Sequence, residues 1–195
     1  VEFTPGRELR QLPKLFAGLG DGALVIVLSQ HVIQYANGML SQTTRKWPME
    51  YTWFAIGRTT ALHLHATSHR HVYYPQGRET SEALLQLPEL QQIAGKDVVI
   101  LRGNGGRELL GDTLKQRGAT VRYCECYRRV QKHYNGAEEA YRWYQRKVST
   151  LVVTSGEMLH QLYQLVPDWY QKNWLLRCQL VVVSERLAIQ ASELG

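Results

Sequence analysis

The sequence predicts an α/β protein made of two parallel-sheet, flavodoxin-like domains joined by a two-stranded connector, with one domain incomplete. Three observations carry that expectation. Short apolar runs, most of them β-branched, recur at Ala23–Leu28, Trp53–Ile56, Val98–Leu101, Thr150–Val153 and Leu180–Val183, as strands covered on both faces require. Each run empties into glycine or small hydroxyl residues and then into helical spacing, the written form of a β-α-β unit with its right-handed crossover. After Gln131 the rhythm restarts, so the elements fall into two sets.

In chain order, Val1–Thr4 is extended and stops at Pro5-Gly6, a turn signal. Leu9, Leu12, Leu15, Phe16 and Leu19 then repeat at helical spacing up to Gly20. The strand at Ala23–Leu28 ends in Ser29-Gln30-His31, and Val32, Ile33, Tyr35, Ala36 and Met39 suit a helix for which Ser29 is an N-cap in type. Residues 41–52, with Arg45-Lys46-Trp47-Pro48, read as a loop. Trp53–Ile56 is a strand running into Gly57-Arg58-Thr59-Thr60 and a further helix. His71–Tyr74 is a short strand near a sheet edge, because Pro75 closes it. Ser81–Leu90 is a helix broken or bent near Pro88. Val98–Leu101 enters the glycine-rich turn Arg102-Gly103-Asn104-Gly105-Gly106-Arg107, which opens a helix through Leu110 and Leu114 that stops at Gly118. A strand follows at Ala119–Cys126.

The second set begins with a helix at Ala137–Gln145 and a strand ending in Thr154-Ser155-Gly156. Met158, Leu159, Leu162 and Leu165 then form a helical stripe. A loop through Pro167-Asp168-Trp169 leads to the strand that ends in Ser184-Glu185-Arg186, before a last helix. Two parallel strands cannot cover themselves, so residues 133–195 are expected to be part of a domain 1 that residues beyond both ends complete. On that reading residues 5–123 are a complete inserted domain 2, and 1–4 and 124–132 are the paired connector strands.

Charge and composition narrow the function. The net charge of +6 and pI near 9.3 favour an acidic partner, but no block of five basic residues accompanies them, which argues against nucleic acid. No apolar run approaches membrane-spanning length, so no membrane partner is expected. Cys124 and Cys126 share a face of one strand without a second pair, and read as reduced thiols of a cytoplasmic protein. His63, His65, His69 and His71 lack an acidic neighbour and suit solvent-facing positions around a helix end, so no metal site is expected.

The glycine-rich turn fails both nucleotide tests. Glu108 holds the place of the third glycine of a dinucleotide fingerprint, and Arg107-Glu108-Leu109 is unlike the Gly-Lys-Ser/Thr of a P-loop. What remains is a tight turn whose glycines serve φ > 0, or a backbone seat for a carboxylate. Five strand ends share that character: Ser29, Gly57 to Thr60, Arg102 to Gly106, Thr154 to Gly156, and Ser184 to Arg186. Any one alone suits a structural cap; five together suit a cleft that grips a polyanion through main-chain donors. The candidate binding residues are Ser29, Gln30, Gly57, Thr59, Thr60, Arg102, Gly103, Asn104, Gly105, Thr154, Ser155, Gly156 and Ser184. No nucleophile elbow or carboxylate pair is present, so an enzyme here would hold and fold its substrate with at most one general acid. Tyr127, in the connector, is the candidate; packing at the hinge is the alternative.

Taken in order, Ile26-Val27-Leu28-Ser29-Gln30-His31-Val32, Ala55-Ile56-Gly57-Arg58-Thr59-Thr60-Ala61, Leu101 to Leu109, Cys126-Tyr127, Val153 to Leu159 and Val183 to Ala188 resemble the bacterial type of uroporphyrinogen-III synthase. The resemblance spans essentially the whole chain. It implies two α/β domains with the active site between them, domain 1 lacking its opening and closing strand and helix here. It also implies a linear tetrapyrrole substrate, hydroxymethylbilane, cyclised with inversion of the last pyrrole ring by a cytoplasmic monomer that uses no cofactor or metal. Tyr127 matches the family tyrosine that assists departure of the hydroxyl, and Ser29, Thr59, Thr60, Thr154 and Ser155 match cleft-lining positions. Ser184-Glu185-Arg186 departs from the Gly-x-Thr pattern of some members. The reading from a different class is a two-domain binding protein that holds an anionic ligand without chemistry.

Overall fold

The structure, a computed structural model, describes residues 1–43 and 46–195. The loop expected at 41–52 includes Thr44 and Arg45, which lie outside the described residues. The chain divides into two units, Val1–Gln131 and Lys132–Gly195.

Unit 1 holds strands β1 (Glu2–Pro5), β2 (Leu24–Val27), β3 (Thr52–Ala55), β4 (Val72–Tyr73), β5 (Asp97–Gly103) and β6 (Thr120–Val130), and helices α1 (Leu12–Ala17), α2 (Gln30–Ser41), α3 (Arg58–Ser68), α4 (Ser81–Leu84) and α5 (Leu109–Gln116). They form one sheet in the order β1-β6-β5-β2-β3-β4. Every pairing is parallel except that of β1 with β6. Alternation along each strand decides which helices it meets. Val25, Val27, Trp53, Ala55, Val99 and Leu101 pack with Leu12, Phe16, Val32, Ile33, Ala36 and Leu64 of α1, α2 and α3. Leu24, Ile26, Phe54, Val98 and Ile100 face the other way, onto Leu84, Leu90, Ile93, Leu110 and Leu114.

That two-sided covering explains the uninterrupted apolar runs, and it fixes where the sheet changes direction. The α2 and α3 crossovers carry the chain outward to β4 on one face, and the return past α4 on the other face sets β5 beside β2. Counted from β2, the parallel strands therefore run 3-2-1-4-5, not the 2-1-3-4-5 of flavodoxin. The reversal falls between β2 and β5, whose carboxyl ends flank the crevice such a switch creates.

Several bounds differ from expectation for local reasons. The first helix is split into a 3₁₀ turn at Leu9–Gln11 and α1, and ends at Gly18. α4 is a single turn; a 3₁₀ turn at Pro88–Leu90 follows it, since proline cannot continue the ladder. β6 runs on for 11 residues. Its first part pairs in parallel with β5 and its last part antiparallel with β1, and Tyr127 belongs to both, opposite Gly103 and opposite Pro5.

Unit 2 holds β7 (Thr150–Val153) and β8 (Gln179–Val182), paired in parallel, with α6 (Gly136–Gln145), α7 (Gly156–Leu165), α8 (Asp168–Asn173) and α9 (Glu185–Leu194). α8 occupies the stretch read as a loop. Pro167 takes its cap position with extended backbone, and Gln171 turns back to donate to the Tyr163 and Val166 carbonyls at the end of α7. The apolar interior is small: Ala140, Val166, Trp174 and Leu175 in one cluster, Val153, Leu159 and Leu187 in the other. The opposite face of the ladder leaves Val152 and Val181 65% and 46% exposed. Among the described residues, no helix is long and apolar enough to cross a membrane.

Candidate functional site

β2 ends at Val27, and α2 begins at Gln30 with Ser29 in the cap position, its backbone extended. A serine there ordinarily turns its hydroxyl onto its own helix. Ser29 does not; its Oγ donates to the Tyr127 hydroxyl at 3.1 Å. The Tyr127 oxygen thus accepts, and its own proton is left for another acceptor. Beneath the ring lies Gly103, the last residue of β5, at the irregular register between Arg102 and Gly103. A Cβ on Gly103 would stand 2.6 Å from Tyr127 Cζ and 2.9 Å from Oη, so a glycine is what admits the phenol here. Three rings pack beside it: Tyr35 lies 6.2 Å away and nearly parallel, His31 lies 5.4 Å away and tilted, and Phe3 lies 5.7 Å away. The phenol is held at the carboxyl ends of β2 and β5, at the point where the strand order reverses.

The neighbouring strand ends are used differently. Asn104 Oδ1 accepts the Arg129 N–H at 2.6 Å and its Nδ2 donates to the Arg129 carbonyl at 3.2 Å, so this side chain extends the ladder along β6. Gly105 and Gly106 turn with positive φ, and α5 starts only at Leu109. The glycine turn is therefore a bulged strand end and loop; the cap position belongs to Glu108. Arg102 is committed within the protein's own surface, 3.0 Å from the half-exposed Glu108 carboxylate and 4.0 Å above the centre of the Tyr123 ring. Among the described residues, the buried Tyr123 hydroxyl has no close hydrogen-bond partner. Burial, and then the Glu108 carboxylate, push it up to about 12. In return that hydroxyl, and then the Arg102 guanidinium, hold Glu108 below the usual carboxylate range. At α3, Gly57 caps with no side chain, and the first N–H, on Arg58, donates to Glu79 at 2.8 Å. Thr59 is exposed and Thr60 buried in that first turn.

The Uroporphyrinogen-III synthase HemD family model matches residues 1–195. The chain belongs to the uroporphyrinogen-III synthase family. It is 60% identical over 195 residues to the uroporphyrinogen-III synthase of Escherichia coli K12, covering 100% of this chain and 79% of that one. It is 42% identical over 162 residues to that of Proteus mirabilis, covering 83% and 81%. Two crystal structures share the fold. Uroporphyrinogen III synthase from the extreme thermophile Thermus thermophilus matches with TM-score 0.53 and 20% identity over 100% of this chain and 76% of its own. The Helicobacter pylori 26695 uroporphyrinogen-III synthetase matches with TM-score 0.56 and 16% identity over 98% and 79%.

Of the candidate site residues, Ser29, Gly103 and Tyr127 come together, with Gln30 exposed at the start of α2. In unit 2, Ser155 and Ser184 act as ordinary N-caps, accepting the N–H groups of Met158 at 3.1 Å and Leu187 at 3.3 Å. Thr154 is exposed beside Ser155, and Gly156 opens α7. Phe3, His31 and Tyr35 are not among the candidate site residues. His31 and Tyr35 stand four apart on one helix face, which was the available signal. Phe3 gave none, because a residue of β1 reaches α2 only through the tertiary ladder. Among the described residues, no group of three or more His, Cys, Asp and Glu comes together as metal ligands; His65 Nδ1 lies 2.7 Å from the Arg70 carbonyl. Cys124 and Cys126 are buried with sulfurs 3.8 Å apart. The Cys124 thiol beside it, and then burial, push Cys126 well up, which leaves it protonated and unreactive.

Proposed function

We propose that this chain performs the uroporphyrinogen-III synthase reaction: it cyclises hydroxymethylbilane with inversion of the terminal pyrrole ring and loss of water, giving uroporphyrinogen III. The observation that supports it most is the Ser29–Tyr127 hydrogen bond over Gly103. The phenol donates its proton to the departing hydroxyl, the C–O bond breaks, and water leaves. The Ser29 hydroxyl steadies the phenolate as charge develops on it. The electron-rich last pyrrole attacks the resulting electrophile through its already-substituted ring carbon, giving a spiro intermediate. The bond from that carbon to its original methylene bridge then breaks, and the freed methylene bonds the ring's other α-carbon, closing the macrocycle with that ring inverted. The proton that its ring carbon then loses balances the one Tyr127 gave. On this reading the enzyme is a cofactor-independent carbon–oxygen lyase, monomeric and cytoplasmic.

Acetate and propionate arms of the substrate meet donors at the start of α2, through Ser29 and Gln30. At the start of α3 Glu79 already takes the Arg58 N–H beside Gly57, and the exposed Thr59 is left to contribute there. Gly105 is the loop residue left to approach them, since Arg102 pairs with Glu108 and both polar atoms of the Asn104 side chain bond Arg129, while Ser155 and Ser184 cap their own helices. The bilane also cyclises unaided to the uninverted isomer, so the protein's main contribution is conformational control.

Incubation of the protein with hydroxymethylbilane, with separation of the two isomers, tests the reading directly. Uroporphyrinogen III is expected to dominate. Saturable tetrapyrrole binding with only the uninverted isomer formed would show a binding protein instead. Tyr127→Phe is expected to slow the enzymatic step by roughly 10²-fold or more; an unchanged rate would reduce Tyr127 to a packing residue.

A further inference from the structure

We infer that His31 is the positioning residue that holds the Tyr127 phenol in place, with Phe3 as its anchor; the inference rests on the acid role proposed for Tyr127. Four rings from three elements meet here: Phe3 of β1, His31 and Tyr35 of α2, and Tyr127 of β6. His31 lies almost flat on Phe3, with centroids 3.9 Å apart and planes at 22°. Its ring is tilted by 53° against Tyr127 at 5.4 Å. Tyr35 covers Tyr127 from one helical turn further along, with planes at 17°.

Ser29 restrains only the phenol oxygen, and one hydrogen bond leaves a tyrosine free to turn about its side-chain bonds. Ring contacts remove that freedom. Ser29 and His31 are two residues apart at the start of α2, so one rigid helix turn holds both the oxygen and the flank of the phenol. The proton to be transferred is thereby aimed before substrate arrives, which is where proximity contributes most to rate. Phe3 in turn keeps His31 from swinging away, and its own place is set by the β1–β6 ladder opposite Arg129.

His31→Ala, His31→Phe, Tyr127→Phe and the His31→Ala/Tyr127→Phe pair test this with hydroxymethylbilane as substrate. His31→Ala is expected to lower kcat about tenfold, which is ~1.4 kcal/mol of barrier, with KM nearly unchanged and a larger share of uninverted isomer. His31→Phe, which keeps the stacked ring, should restore most of the rate. In the Tyr127→Phe background His31→Ala should cost nothing further. Ring-labelled tyrosine NMR on the substrate-free protein should show Tyr127 flipping faster in His31→Ala.

An equal loss in both backgrounds, or His31→Phe as slow as His31→Ala, would overturn the inference. Unchanged ring flipping in His31→Ala would overturn the positioning itself. Full activity in Tyr127→Phe alone would overturn the acid role, and the catalytic use of His31 with it.

Discussion

At the scale of single residues, Tyr127 and Tyr123 lie four apart on β6 and have opposite environments. Tyr127 is half-buried, hydrogen-bonded by Ser29 and seated on a glycine. Tyr123 is pinned beneath Arg102, its hydroxyl buried against Glu108. Only the first can offer its proton outward. Gly103→Ala should therefore act through Tyr127: the added methyl displaces the ring from Ser29, and kcat is expected to fall at least tenfold while the circular dichroism stays native. Wild-type kcat in that variant would disprove the seat. Tyr123 bears on alkaline stability. Its ionisation is raised from 10.0 to about 12 in the folded protein, so between those values the native state binds more protons than the unfolded one. The stability this provides is complete below pH 10 and is lost as pH rises through about 12. Denaturant titrations at stepped pH should show this decline in the wild type and a shallower one in Tyr123→Phe. Identical slopes would exclude Tyr123 as its source.

At the scale of elements, α5 shows how packing overrides propensity. Gly111 is buried in the middle of this helix, where alanine is ordinarily better by about 1 kcal/mol. A Cβ there would fall on the Tyr123 hydroxyl, so the helix and β6 touch only because position 111 has no side chain. Gly111→Ala is expected to destabilise by about 1–3 kcal/mol, the usual range for overpacking, and Tyr123→Phe should recover part of the loss. A rise in melting temperature on Gly111→Ala would mean that propensity wins. The helix starts follow the same logic. α4, α6, α7 and α9 are capped by Thr80, Asn135, Ser155 and Ser184, whereas the Ser29 hydroxyl is diverted from α2 to Tyr127. Residue type alone cannot tell a cap from a diverted cap, since both sit at the same place between strand and helix.

At the scale of the whole molecule, the two units differ in how much they bury. Unit 1 places strands such as β2 between helix layers on both faces, while unit 2 closes two small clusters and exposes one face of its ladder. In the 195-residue chain, amide hydrogen exchange should show unit 2 opening at lower free energy than the strands of unit 1. Equal protection of β7 and β2 would contradict that. Much of the fold was legible in the order of residues. Apolar runs of strand length, hydroxyl or glycine at their ends and helical stripes after them are local patterns, and the strands and most helices stand where those patterns put them. The loop reading at Pro167 failed because Pro167-Asp168 serves equally as a turn or as a helix start, and the bonds from Gln171 to the end of α7 favour the helix. By itself the sequence determined the α/β class, the family and the candidate status of Tyr127, because each depends on residue type and spacing along the chain. The tertiary structure alone decided the 3-2-1-4-5 strand order, the Ser29–Tyr127–Gly103 contact, the pairing of Arg102 with Glu108 over the Tyr123 ring and the packing of Phe3 and His31 beside Tyr127. Ser29 and Tyr127 are 98 positions apart, and Gly103 and Phe3 reach the same ring from two further strands, so only the closed sheet brings these groups within reach of one another.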